Sequence, residues 1–129
     1  MDETTNIRKI IEIDKYYLIH DGSKTGHPGV IIWKDDECNL YLAVKIGTSR
    51  NNNNKLLLES VSNDQVAHYV YNKPFLGKRK DFGSKVFLDL VVTDELRSMF
   101  GSYLTTNPTE SKSINRKDRR NFKRLMKAK

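Results

Sequence analysis

The sequence predicts a small, mainly β domain: a largely antiparallel sheet curled into a barrel, a helix packed on it, and a basic helical arm at the C-terminus. Three observations carry this. Short runs rich in β-branched and aromatic residues, broken by turn residues, come first. One segment with apolar residues at helical spacing follows. The chain then ends in a dense run of cations.

Residues 1–14 are a short lead-in, in which Ile7, Ile10, Ile11 and Ile13 fit a helical turn or an edge strand equally. Tyr16-Tyr17-Leu18-Ile19-His20 is β-prone. The turn Asp21-Gly22-Ser23-Lys24-Thr25-Gly26 ends it. Gly29–Trp33 is a continuous β-branched run, as in a buried strand, and Leu40–Ile46 across a short polar connection is its hairpin partner. Gly47–Asn54, with four consecutive Asn residues, reads as a loop. Leu56–Leu58 and Val66–Tyr71 are two further strands, Lys73–Asp81 a basic loop with two apolar anchors, and Lys85–Val92 a late strand.

Thr93-Asp94-Glu95 opens a helix with a polar cap and acids in the first turn. Leu96, Met99, Phe100 and Tyr103 give it one apolar face. Thr105–Ser111 reads as a linker, and Asn115 can cap a final helix with a narrow stripe of Phe122, Leu125 and Met126. The expected organisation is therefore a β-barrel domain with its helix over residues 1–106, and a linker with a basic helical tail over 107–129.

Charge is concentrated in that tail. From Lys112 onward nine Lys and Arg residues face one acid, Asp118, a net +8. The whole chain is +7, which leaves residues 1–111 at −1. Such a segment binds polyanions, nucleic acid above all. Cys38 is the single cysteine, so no internal disulfide can form. No apolar run reaches the ~18 residues of a membrane helix. The chain reads as soluble and cytoplasmic, with no membrane partner. Zinc spacing, a P-loop and a Gly-x-Ser-x-Gly element are all missing from the sequence, and the three histidines lie far apart. The expectation is no metal and no cofactor.

Four segments could carry chemistry. In Lys24-Thr25-Gly26-His27-Pro28, glycines allow close approach of a ligand, while Lys24 supplies charge and His27 a group of the type that titrates near neutrality. The same residues also suit an ordinary polar hairpin turn. Thr48, Ser49 and Arg50, at a strand end, can hold a phosphate or simply satisfy a turn. Lys78-Arg79-Lys80 beside Phe75 and Phe82 fits an RNA contact surface or a solvated loop. The tail offers Arg116, Lys117, Arg119, Arg120, Lys123 and Arg124 to nucleic acid.

Taken together, Tyr16–His20, the glycine turn, His27-Pro28-Gly29-Val30-Ile31-Ile32 and Leu42–Ser49 resemble the PemK/MazF family of toxin ribonucleases. The late stretch Gly83–Leu90 followed by Thr93–Arg97 is similar to that family's last long strand and C-terminal helix. RNase toxins of the ToxN kind share the architecture. The resemblance implies an SH3-like barrel, often a homodimer, that cuts single-stranded RNA without a metal and is blocked by an acidic antitoxin. Thr48, with Ser49, stands at the family's hydroxyl site, and His27 where the family has Arg before Pro. Arg is always charged, whereas His contributes charge only when protonated but can act as acid or base. The resemblance then assigns proton transfer to His27, charge neutralisation to Lys24 or Arg50, and phosphate positioning to Thr48. Two rivals share the fold: a non-catalytic nucleic-acid-binding module, and a protein-interaction module that docks an acidic partner.

Overall fold

The computed structural model describes residues 16–47, 54–58, 68–86 and 94–127. Among the described residues eight strands form one open sheet: β1 (Tyr16–Ile19), β2 (His27–Asp35), β3 (Leu40–Gly47), β4 (Asn54–Leu58), β5 (His68–Tyr71), β6 (Phe75–Gly77), β7 (Phe82–Val86) and β8 (Thr109–Glu110). The same residues include two α-helices, α1 (Asp94–Ser102) and α2 (Arg116–Lys127). The mainly β class is as expected. Among the described residues no pairing joins β7 to β4, the two ends of the strand path.

The expected hairpin is the centre of the sheet. β2 and β3 pair antiparallel from Gly29 opposite Lys45 to Asp35 opposite Leu40, with a register shift between Ile31 and Trp33. β1 adds to the outer edge of β2, and β7 to β1. The other edge of β3 is shared. Ile46 and Gly47 pair with β5, while Tyr41–Ala43 pair with β6. Apolar residues run consecutively over Val30–Trp33 of β2 and Leu40–Val44 of β3 because both sheet faces are covered there, where a one-sided sheet would show alternation. Leu42, Val44 and Ile46 enter the larger core with Val30, Ile32 and Phe100. Ile31 and Ala43 enter a second cluster with Ile19, Phe75 and Phe82. Gly29 is required where the chains cross: a Cβ there would lie 2.3 Å from Ile19 Cδ1 and 2.8 Å from the Val44 carbonyl oxygen.

Three segments differ from the sequence reading. The stretch 73–81, expected as a loop, contains β6 and a 3-10 turn at Arg79–Asp81. The three residues of β6, Phe75–Gly77, are too few to show a period, and the strand forms because β5 leaves part of the β3 edge unpaired. The expected linker 105–111 contains β8, which runs parallel to β6. Its backbone is held by Thr109 N donating to Pro74 O (2.8 Å) and Ser111 N donating to Leu76 O (2.9 Å). Asn54, expected in the loop, begins β4. The lead-in 1–14 and residues 87–92 of the late strand lie outside the described residues.

The basic tail is not a detached arm. Ile114 and Phe122 are buried in the larger core, and Phe122 meets Trp33 edge-on with ring centroids 5.5 Å apart. Asn115 caps α2 as expected, in a reciprocal box. Asp118 N donates to Asn115 Oδ1 (2.9 Å), and Asn115 N donates to Asp118 Oδ2 (3.0 Å). Lys78 Nζ donates to the other Asp118 oxygen at 2.7 Å. Burial alone would raise the Asp118 carboxyl, but the Lys78 ammonium and the Asn115 N–H outweigh it and hold the carboxyl below its ordinary range. A second buried carboxylate, Asp81, accepts from Lys78 N (2.7 Å) and Ser111 Oγ (2.8 Å). The one acid in the tail and the one acid in the 3-10 turn thus fasten the cationic helix to the sheet.

If α2 is part of the core, Phe122→Ala leaves a cavity and costs about 3–5 kcal/mol. Urea unfolding followed by Trp33 fluorescence and by circular dichroism is expected to show one shared transition at lower denaturant. An unchanged midpoint would mean that the helix is an independent arm.

Candidate functional site

The turn from Asp21 to Gly26 delivers His27 to the first position of β2, and the hairpin register brings the end of β3 beside it. Gly26 has φ +73°, and a Cβ on it would lie 2.7 Å from the Ile19 carbonyl oxygen, so only glycine fits. Asp21 folds back over this turn. Its Oδ1 accepts from Ser23 N (3.2 Å) and Ser23 Oγ (2.7 Å). Its Oδ2 accepts from His27 Nδ1 (2.7 Å) and Lys45 Nζ (3.0 Å).

The side chains of Asp21, Lys45 and His27 are 5%, 14% and 27% exposed, so the pairing is largely withdrawn from water. Burial would raise the Asp21 carboxyl. The hydrogen bonds from Ser23 and Lys45, with the charge of Lys45, outweigh it and hold Asp21 well below the ordinary carboxylate range. An ionised carboxylate only accepts, so the proton in its bond to His27 sits on Nδ1. In the neutral ring this leaves the Nε2 lone pair free to accept. Tyr71 Oη lies 3.3 Å from that Nε2, with the two rings edge to face at 5.5 Å between centroids. Lys45 Nζ stands 4.4 Å from the Tyr71 ring centroid, within cation–π range.

Tyr71 is fixed from behind. The Tyr103 hydroxyl, after α1, donates to the Tyr71 carbonyl, and burial pushes that hydroxyl up to about 12, so it stays protonated and donating. Gly47 closes the other side: a Cβ there would lie 3.3 Å from Tyr71 Cε1 and 3.8 Å from His27 Cδ2. A cleft of about 270 Å³ opens beside the cluster, lined by Lys45, Tyr71, Asn72, Lys73 and Thr109.

Of the residues expected in the site, His27 is at its centre. Lys24 is exposed on the glycine turn and takes no part in these hydrogen bonds and ion pairs; the buried cation beside His27 is Lys45. Thr48, Ser49 and Arg50 lie outside the described residues, though Gly47 places the preceding backbone against the His27 ring. Asp21, Lys45 and Tyr71 escaped the sequence reading. Lys45 carried a usable signal, a single cation inside an otherwise apolar strand. Asp21 looked like turn chemistry, and Tyr71 like a strand aromatic.

The expected RNA contacts divide. Lys78 is held by Asp118 (2.7 Å) and Arg119 by Glu110 (2.7 Å). The Arg79 guanidinium donates to the Phe82 carbonyl (3.0 Å), while Lys80 is exposed. Arg116, Lys117, Arg120, Lys123 and Arg124 are exposed along α2, with Lys127 beyond them. This cationic face is a fixed platform. Phe122 anchors it at Trp33, six residues along β2 from His27, roughly 20 Å at strand spacing. Among the described residues no group of three His, Cys, Asp or Glu side chains is placed to hold a metal, and no helix is long and apolar enough to cross a membrane. Comparison with family models, curated proteins and solved structures yields no match to this chain.

Lys45 lowers the Asp21 carboxyl, so Lys45→Met is expected to raise the pH at which Asp21 takes its proton, read by carboxyl ¹³C NMR. A depressed carboxyl stabilises the fold at pH above its ordinary value of 3.8 and loses that contribution as the pH falls through the folded-state value. The variant is therefore less stable than the wild type at pH 7, and the gap narrows in acid. An unmoved Asp21 titration would disprove the coupling.

Proposed function

We propose that this protein binds RNA and cuts single-stranded RNA by transesterification through His27, on a PemK/MazF-like, SH3-like barrel. The observation that carries the reading is the Asp21–His27–Tyr71 chain of hydrogen bonds with the Lys45 ammonium against it. A carboxylate that fixes the ring tautomer, an Nε2 lone pair facing an exchangeable hydroxyl and a nearby permanent cation suit proton transfer at a phosphodiester.

In the proposed reaction His27 Nε2 removes the proton of the RNA 2′-hydroxyl. The 2′-oxygen attacks the adjacent phosphorus, forming a 2′,3′-cyclic phosphate as the bond to the 5′-oxygen breaks. The Tyr71 hydroxyl gives its proton to the departing 5′-oxygen and recovers one from the His27 imidazolium along their hydrogen bond. Lys45 has three N–H donors, of which Asp21 takes one, and in this reaction its ammonium offsets the charge that develops on the phosphoryl oxygens. Asp21 is a positioning residue: it holds the ring and balances the imidazolium. His27 serves here as the proton carrier, and Lys45 supplies the permanent charge that Arg gives in the PemK/MazF pattern. Thr48, directly after Gly47, remains the candidate to hold a phosphate oxygen.

The cationic face of α2 supports RNA binding, and it equally suits an acidic antitoxin that would cover it. It also supports the second reading, a nucleic-acid-binding module that does not cut.

The test is incubation of the purified chain with single-stranded RNA in EDTA. Cleavage is expected, lowered about 10²–10⁴-fold in His27→Ala, with RNA retention unchanged. Salt-sensitive retention with no cleavage by the wild type would leave the binding module and remove the enzyme.

A further inference from the structure

The cleft beside the cluster is lined in part by residues that the proposed reaction does not use. It shares Lys45 and Tyr71 with the His27 site and adds Asn72, Lys73 and Thr109. No hydrogen bond or ion pair among the described residues engages the Lys73 ammonium or the Asn72 amide. Thr109 comes from β8, so this wall exists only because the C-terminal segment pairs with β6. Its hydroxyl makes one long bond, to the Pro74 carbonyl at 3.3 Å, and keeps acceptor capacity.

We infer that this cleft is a subsite for one nucleotide of the RNA, with the phosphate between Lys45 and Lys73 and the base edge read by Asn72 and Thr109. The inference rests on the ribonuclease reading only for its location beside the scissile bond. Three features fit a nucleotide better than a bare anion. The volume, about 270 Å³, is far more than a phosphate fills. Asn72 offers a donor and an acceptor side by side, as base-edge recognition requires. Tyr71 supplies an aromatic wall beside the cations. The two lysines account for the anionic end. Lys45 is the shared element: it meets Asp21 on one side and the cleft on the other, so a phosphate in the cleft sits one group away from His27. The site would therefore set which base stands next to the cut, while α2 contributes affinity without sequence.

The experiment titrates the full chain with each of the four nucleoside 3′-monophosphates, with the nucleosides and with inorganic phosphate, read by backbone amide shifts in NMR. At least one monophosphate is expected to bind ten-fold or more tightly than either inorganic phosphate or its own nucleoside. Lys73→Ala is expected to weaken all monophosphates about ten-fold, and Asn72→Ala to level the differences among bases. Both residues lie in a bend, Lys73 exposed and Asn72 half-buried, and circular dichroism checks that the variants fold. Equal binding of phosphate and monophosphates, or binding unmoved by both substitutions, would overturn the subsite. The two proposals fail separately. Cleavage of RNA with monophosphate binding insensitive to both variants removes the subsite alone. Selective monophosphate binding in a chain that never cuts RNA keeps the subsite and removes the enzyme.

Discussion

The register of the β2–β3 hairpin is the constraint on which the rest of the molecule depends. With Gly29 set opposite Lys45, the start of one strand and the end of the other arrive together, and His27 meets Lys45 across a shared carboxylate. A slip of one residue would send Lys45 to the face that carries Leu42, Val44 and Ile46 and would bury a bare ammonium in the larger core. Burial of both faces makes that slip prohibitive. Gly29, with no room for a methyl group, holds β1 and β2 in the same register. The position of the cluster is thus decided by packing several residues away from it.

Two buried carboxylates repeat one device. Asp21 joins the glycine turn to β3 through Lys45, and Asp118 joins α2 to the 3-10 turn through Lys78. Each has a lysine partner and backbone donors, and each is held in its ionised form by them. Buried charges persist only with such partners, and removing one partner costs more than the pair contributes. In the first case the arrangement holds an imidazole by one nitrogen and turns the other toward the Tyr71 hydroxyl. In the second it docks a helix whose outer face is almost entirely cationic. The helix is consequently a rigid surface at a set distance from His27, and a polyanion touching both must span that distance.

Much of the sheet could be read directly. The β2–β3 hairpin, the turn at Asp21–Gly26, the α1 segment and the Asn115 cap follow from local patterns, because turn residues, β-branched runs and capping residues act within a few positions. β6 and β8 could not be read that way. They are two or three residues long, and they exist because an edge of β3 is left unpaired and because Pro74 and Leu76 offer their carbonyls. The tail misled for a related reason. Its charge pattern describes the outer face faithfully, yet Ile114 and Phe122 seat it in the core, which only a tertiary contact reveals. In the site, His27 was legible from its glycine turn. Lys45 is 18 residues further along the chain and Tyr71 44 further, and nothing local links either to it.

The central claim is that the imidazole of His27 acts on a ribose hydroxyl, and analysis of product ends tests it most directly. RNA cut by the protein should carry a 2′,3′-cyclic phosphate on one fragment and a 5′-hydroxyl on the other, and a single 2′-deoxy substitution at the cut site should abolish cleavage there. Fragments ending in 3′-hydroxyl and 5′-phosphate, or cleavage that survives the deoxy substitution, would contradict it.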